Sequence, residues 1–167
     1  MKIPKVLTSA ITATSAMTAF SYLVSYIKER NFREPELLAD LSQELIPNKE
    51  RALALPTGWL THYSMGLAWA LFETCLVENR KMKADVKSSV LFGCFGGVTG
   101  ALVWGLVFKI HPKPPQIPYR RFYGHLILAH IVYSIALVQS SKNLALLHHL
   151  SDGPDTHSFA FSNSSSG

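Results

Sequence analysis

Two long stretches without a charged residue constrain this chain more than any other feature. Val6 to Ile27 and Ser88 to Phe108 contain no Asp, Glu, Lys or Arg. Both windows reach the roughly 20 residues that an α-helix needs to span the hydrocarbon core of a bilayer. Backbone amides inside lipid cannot bond to water, and a helix satisfies them within one segment. The sequence therefore predicts an integral membrane protein.

The few charged residues are unevenly distributed. Only 16% of the 167 residues are charged, against about 25% in an ordinary soluble domain. The net charge is +5, but the Lys and Arg residues flank the apolar windows and form no basic stripe with aromatics. We therefore expect a lipid bilayer as partner and no nucleic acid. The length predicts a single transmembrane domain over residues 1–150 and a disordered polar tail over 151–167.

The apolar windows predict an all-α fold, a four-helix transmembrane bundle. Its crossings are expected at about residues 6–27, 57–77, 88–108 and 122–141. Between the first two, leucines at helical spacing predict an amphipathic helix over about 35–45, which is too short to span and is expected to lie at the interface or to cap the bundle. The short turn after the second crossing predicts that the second and third crossings are antiparallel neighbours. Lys and Arg counts on the two sides are nearly equal, so the orientation stays open.

Small residues are concentrated in the first and third crossings. The first is rich in Ser and Thr, which bond within a helix or to a neighbouring one, so we expect it to pack inside the bundle. A cleaved signal peptide is the alternative, since Lys2 and Lys5 precede the window. The third crossing contains two overlapping GxxxG pairs that predict close helix packing, within one bundle or in a homo-oligomer or larger assembly: Gly93, Gly96, Gly97 and Gly100.

Four ionisable residues fall within the predicted crossings: His62, Glu73, His125 and His130. Such residues are costly in lipid and are by default functional candidates. His62 and Glu73 are eleven residues apart, on one face of a helix but about 16 Å apart along it. His125 and His130 point in different directions, whereas His62 and His125 are expected at similar depth. That pair is the candidate for a metal ion or haem.

Three functions are compatible with these residues. The favoured one is a structural or accessory helix-packing protein, with the histidines bonded to neighbours such as Tyr63, Tyr123 or Tyr133. The second is a small transporter or proton-conducting protein that uses the intramembrane His and Glu. The third is a haem- or metal-binding membrane protein. The sequence contains no nucleophile elbow, P-loop or HExxH motif, so it predicts no enzyme of those classes and no cofactor.

The segments GWLTHYSMG in the second crossing and FYGHLILAHIVYS in the fourth resemble the YagU-type family of small bacterial inner-membrane proteins. The resemblance extends from Gly58 to about Ala136 and depends mainly on His62, Gly124 and His125. It implies a small multi-pass protein of the bacterial inner membrane and no particular reaction. The segment Arg33 to Leu38 has no counterpart in that pattern.

Overall fold

Residues 3–45 and 51–151 are described by a computed structural model of the chain. Every regular element in these ranges is an α-helix, which confirms the all-α prediction. The helices are α1 (Ile3–Lys28), α2 (Glu34–Leu45), α3 (Arg51–Glu78), α4 (Val86–Ile110) and α5 (Tyr119–Ser151). The tail that was predicted to be disordered lies, from residue 152 onward, outside the described residues.

Three of the helices are long and apolar enough to cross a bilayer. They are Ile3–Lys28, Val86–Ile110 and the Tyr119–Leu147 part of α5. In α4 only 22% of the apolar window is buried inside the protein, so large apolar side chains such as Leu102 and Leu106 are exposed. A surface of this kind is suited to hydrocarbon and not to water. The prediction of membrane-spanning helices is thus confirmed for these three by length and composition.

Two helices extend beyond the windows that hydropathy indicated. α3 begins at Arg51 and contains Pro56, which removes one backbone hydrogen bond close to the helix start. α5 continues to Ser151, although its apolar window was expected to end near residue 141. Leu and Ala beyond Lys142 favour a helix whether or not lipid surrounds it. The apolar window therefore marked the candidate crossing and not the whole helix.

The long helices pack in the order α3, α1, α5, α4, with α2 against α3. Helices α3 and α4 are neighbours, as predicted, but their backbones are not closely packed against each other. They meet through aromatic rings instead, with centroids 5.6 Å apart for Phe72 and Phe92 and 5.7 Å apart for Trp69 and Phe92. These bulky rings hold the two backbones apart, whereas the small face of α4 is turned toward α5.

The glycines of α4 let its backbone touch α5 of the same chain. A Cβ atom at Gly93 would lie 2.5 Å from Cα of Ile131, and one at Gly97 would lie 2.4 Å from Cα of Ile127. Gly96 and Gly100 face the His130 ring, where an added Cβ would approach a ring carbon to 3.1 Å. The predicted packing glycines therefore contact a helix within the chain.

Helix α2 covers one end of the bundle. Its Leu37 and Leu41 are buried with Phe108, Phe122 and Leu126. It approaches α3 so closely that a Cβ atom at Gly58 would lie 2.2 Å from the Pro35 carbonyl oxygen. This packing also buries Glu34, the first residue of α2. A carboxyl group is thereby brought between the helices.

The turn before α4 is closed by a helix cap. Asp85 is the N-cap residue and accepts a hydrogen bond of 2.7 Å from the backbone N–H of Ser88. That bond lowers the pKa of the Asp85 carboxyl, because it favours the ionised form. The contribution of the cap is therefore present above the ordinary pKa of aspartate and is lost as the pH falls through the lowered value.

We predict that Gly97→Ala destabilises the fold while Gly105→Ala does not. An added Cβ at Gly97 overlaps the backbone of α5, whereas at Gly105 it meets only the Tyr123 hydroxyl oxygen at 3.5 Å. Overpacking of this kind costs about 1–3 kcal/mol. Thermal unfolding in detergent, followed by circular dichroism, should show a lower midpoint for Gly97→Ala alone. Equal midpoints for the two variants would contradict the close α4–α5 contact.

Candidate functional site

One face of α1 carries a row of buried hydroxyl groups. Because α1 packs between α3 and α5, this face is enclosed by protein. Its members recur every three or four residues: Thr14, Thr18, Ser21 and Ser25. We call this row, together with Glu34 of α2, His62 and Glu73 of α3, and His125 and Ser134 of α5, the polar seam.

At one level of the seam, a serine links a histidine to a carboxylate. The Ser21 hydroxyl donates to Oε1 of Glu34 at 3.0 Å, so its oxygen is free to accept from the Nε2–H of His125 at 2.9 Å. His125 Nε2 also lies 3.5 Å from Glu34 Oε1. The imidazole is stacked against Phe20 and Phe32, with ring centroids 5.4 and 5.3 Å away. The ring is therefore held by packing as well as by hydrogen bonds.

Two atoms of this group have no hydrogen-bond partner among the described residues. They are Oε2 of Glu34 and Nδ1 of His125, and both are buried. An unpartnered buried polar atom costs about 1–3 kcal/mol, so such atoms call for a functional or solvent-related explanation. The Ser21 hydroxyl lies between the two groups and bonds to both of them.

The next level, one helical turn away on α1, holds His62. The Thr18 hydroxyl donates to the Thr14 carbonyl oxygen at 2.7 Å and so accepts from Nε2–H of His62 at 2.9 Å. In the neutral imidazole this leaves Nδ1 as an acceptor. Thr14 is pressed against α3, since a Cβ atom at Gly66 would lie 2.1 Å from its Oγ1. Oγ1 of Thr14 has no partner among the described residues.

Glu73 forms a separate level closer to the end of α3. Its Oε1 accepts a hydrogen bond of 2.6 Å from the Ser134 hydroxyl of α5. Its Oε2 is buried and has no partner in the described part of the chain. Glu73 also lines a cavity of about 210 Å³, together with Lys5 and Lys142. The carboxyl group thus lies beside a cavity whose walls carry Lys5, Lys142 and Glu78, on the side of the N-terminus.

The predicted site residues are brought together only in part. His62 and Glu73 both lie on the buried face of α3, but they bond to different helices. His62 and His125 bond to Thr18 and Ser21, which are adjacent on the α1 face, and not to each other. His130 bonds to neither of them, and its Nδ1 lies 2.8 Å from the Leu126 carbonyl oxygen of its own helix.

A metal site is not assembled by these side chains. Within residues 3–45 and 51–151, no three His, Cys, Asp or Glu residues are grouped so that they could hold an ion. The closest arrangement is the pair of His125 and Glu34. The haem and metal hypotheses therefore depend on His62 and His125, whose Nε2 atoms already bond to hydroxyl groups.

Sequence analysis missed Glu34 as a site residue. An acidic residue in the first turn of a helix is ordinarily a solvent-exposed capping group, and Glu34 has that position. Its burial results from the packing of α2 onto the bundle, which no local pattern indicated. The neighbouring Phe32, also buried, was the one sequence signal that this segment turns inward.

A larger cavity of about 490 Å³ lies between α3 and α4. Its walls include three ionisable residues: Glu34, His62 and His130. The remaining lining is mainly apolar and includes Trp69 and Trp104. The cavity forms here because α3 and α4 are the two outer helices in the packing order, and their backbones are not packed closely against each other.

No protein-family model matches this chain, and neither a curated protein nor a solved structure matches it. The resemblance to the YagU-type family therefore stays a prediction. The function is therefore inferred from the geometry of the polar seam and of the two cavities.

We predict that Ser21→Ala destabilises the protein by about 1–3 kcal/mol, because it leaves the buried Nε2 of His125 and Oε1 of Glu34 without their shared hydroxyl partner. Thr12→Val is the matched control on the same helix, since the Thr12 hydroxyl is exposed and bonds only to the Thr8 carbonyl oxygen. Thermal unfolding in detergent measures both. If Ser21→Ala unfolds at the wild-type temperature, the hydroxyl is not a structural link.

Proposed function

We propose that the chain is a multi-pass membrane protein with four crossings, α3 being the fourth, and with α2 at the interface. Two observations support a bilayer crossing by α3: its length of 28 residues, and the inward direction of its polar side chains His62 and Glu73. His62 and Glu73 lower its hydropathy, but both are buried. Its outward side chains include Leu60 and Met65, which suit hydrocarbon. The bacterial inner membrane is the location that the YagU-type resemblance implies.

We infer further that the protein conducts protons, or couples protons to the transport of a solute, along the polar seam. The observation that carries this inference is the presence of two buried carboxyl groups, Glu34 and Glu73, each with one oxygen that has no partner among the described residues. A purely structural polar contact would satisfy both oxygens. Carboxyl and imidazole groups within a membrane are the usual components of proton relays.

The two carboxyl groups lie at different depths. Glu34 meets His125 and Glu73 meets Ser134, and these two residues of α5 are about 13 Å apart along the helix. Between these levels lie the hydroxyl of Thr18 and the imidazole of His62. Hydroxyl and imidazole groups accept and release protons without a lasting charge. With water molecules in the gaps, such a series carries a proton across much of the bilayer.

Access from the side of the N-terminus is provided by the smaller cavity. Glu73 lines it, and Lys5 and Lys142 are on its walls. On the other side, Glu34 stands at the start of α2, the helix that covers that end of the bundle. The seam therefore has a protonatable carboxyl group near each of its two ends.

We predict that Glu73→Gln lowers proton flux by about tenfold or more, as expected for loss of a proton-transfer group. The measurement uses proteoliposomes with an internal pH-sensitive dye and an imposed membrane potential. Glu44→Gln is the matched control, since Glu44 is on the surface of α2 and pairs with Lys113. Flux that is unchanged in Glu73→Gln, or equally reduced in Glu44→Gln, contradicts the proposal.

A structural or accessory role is the second candidate, favoured by the exposed apolar face of α4. This face is left over after the glycines have packed on α5, and Leu102 and Leu106 on it are mostly exposed. A homo-oligomer or a larger membrane partner would cover it. No observation favours the haem or metal alternative.

We expect an accessory protein of this kind to form an oligomer in mild detergent, with Leu102→Ser shifting it toward the monomer. Light scattering coupled to gel filtration measures the protein mass. Tyr26→Ser is the control, because Tyr26 is exposed on α1, away from α4. A monomeric wild-type protein counts against self-association through α4.

A further inference from the structure

We propose that the cavity between α3 and α4 binds a lipid-soluble alcohol, a neutral molecule with one hydroxyl head group and an apolar body, which enters from the bilayer. This goes beyond the proton path and does not depend on it. The volume of about 490 Å³ falls within the roughly 300–1,000 Å³ of ligand-binding pockets.

The cavity opens toward lipid. Residues on its walls that remain about half exposed are Met65, Phe72 and Val103. They belong to the outward faces of α3 and α4, and α4 is one of the helices suited to span a membrane. A ligand that passes between these side chains comes from the hydrocarbon phase, so it must itself be soluble there.

The head group is specified by the hydrogen bonds that the wall has already made. His130 donates its Nδ1–H to the Leu126 carbonyl oxygen, so in the neutral ring Nε2 is an acceptor. This atom lies beside Gly100, where an added Cβ would be 3.3 Å from it. His62, whose Nε2–H goes to Thr18, offers its other nitrogen as an acceptor too. These two acceptor nitrogens favour a ligand that donates, and a hydroxyl group is the smallest such donor.

The depth of the cavity favours a neutral head group. His130 is eleven residues from the start of α5, about 16 Å along the helix, near the middle of a hydrocarbon core about 30 Å thick. A phosphate group at that depth would lose its hydration. The described residues that line the cavity include no Lys or Arg to compensate an anion. A phospholipid head group is therefore disfavoured and an alcohol is accommodated.

The test uses the intrinsic fluorescence of the two cavity tryptophans. Trp69 and Trp104 line the cavity, so a Trp59→Phe background leaves only these two of the three tryptophans of the chain. In nanodiscs, 12-bromododecanol is expected to quench them in a saturable manner. The matched probe 1-bromododecane, which lacks the hydroxyl group, should need a concentration about fivefold to tenfold higher, the effect of one lost hydrogen bond.

Two pairs of measurements separate the site from the surrounding lipid. Val103→Phe fills the mouth and should raise the half-saturating concentration of the alcohol about tenfold, whereas Leu102→Phe, on the lipid-facing side of the same helix, should leave it unchanged. His130→Phe keeps a ring against Gly96 and Gly100 and should abolish only the preference for alcohol over alkane. Quenching that does not saturate, equal quenching by both probes, or equal effects at 102 and 103 would overturn the proposal.

Discussion

The fold depends on hydrogen bonds between buried polar side chains of neighbouring helices. The hydroxyl face of α1 makes such bonds to three elements at once, since Ser21 bonds Glu34 of α2 and His125 of α5 while Thr18 bonds His62 of α3. Hydrophobic association does not select a helix order in lipid, because lipid is equally apolar. The hydrogen bonds of α1 do select one, and they make it the central helix.

Much of this architecture follows from sequence. Uncharged windows predicted the helices of α1, α4 and α5, because length and the absence of charge are all that crossing hydrocarbon requires. Neighbour relations were less accessible. A short connection between α3 and α4 predicted that these helices are neighbours. The glycines of α4 determine which of its faces packs closely, and that face contacts Ile127 and Ile131 of α5. Loop length limits distance at one end only and does not select the packed face.

The candidate site was also predictable in part. His62, Glu73, His125 and His130 could be named because ionisable residues are rare within apolar windows. The partners of His62, Glu73 and His125 could not, since these lie on other helices, at sequence separations such as the 61 residues between Glu73 and Ser134. Glu34 was missed for the same reason. Composition thus identifies the costly groups, and only tertiary structure shows how each is compensated.

The bond made by Ser21 has a directional consequence. A serine hydroxyl has one hydrogen, so it points either toward Glu34 or toward His125 and never toward both. In the proposed proton path, a transfer from the imidazole to the carboxylate through this oxygen leaves the hydroxyl hydrogen directed at His125, so the hydroxyl must rotate before a second proton can follow. The orientation of the Ser21 hydroxyl would therefore depend on the last proton transfer, and its rotation would limit the rate of the next one.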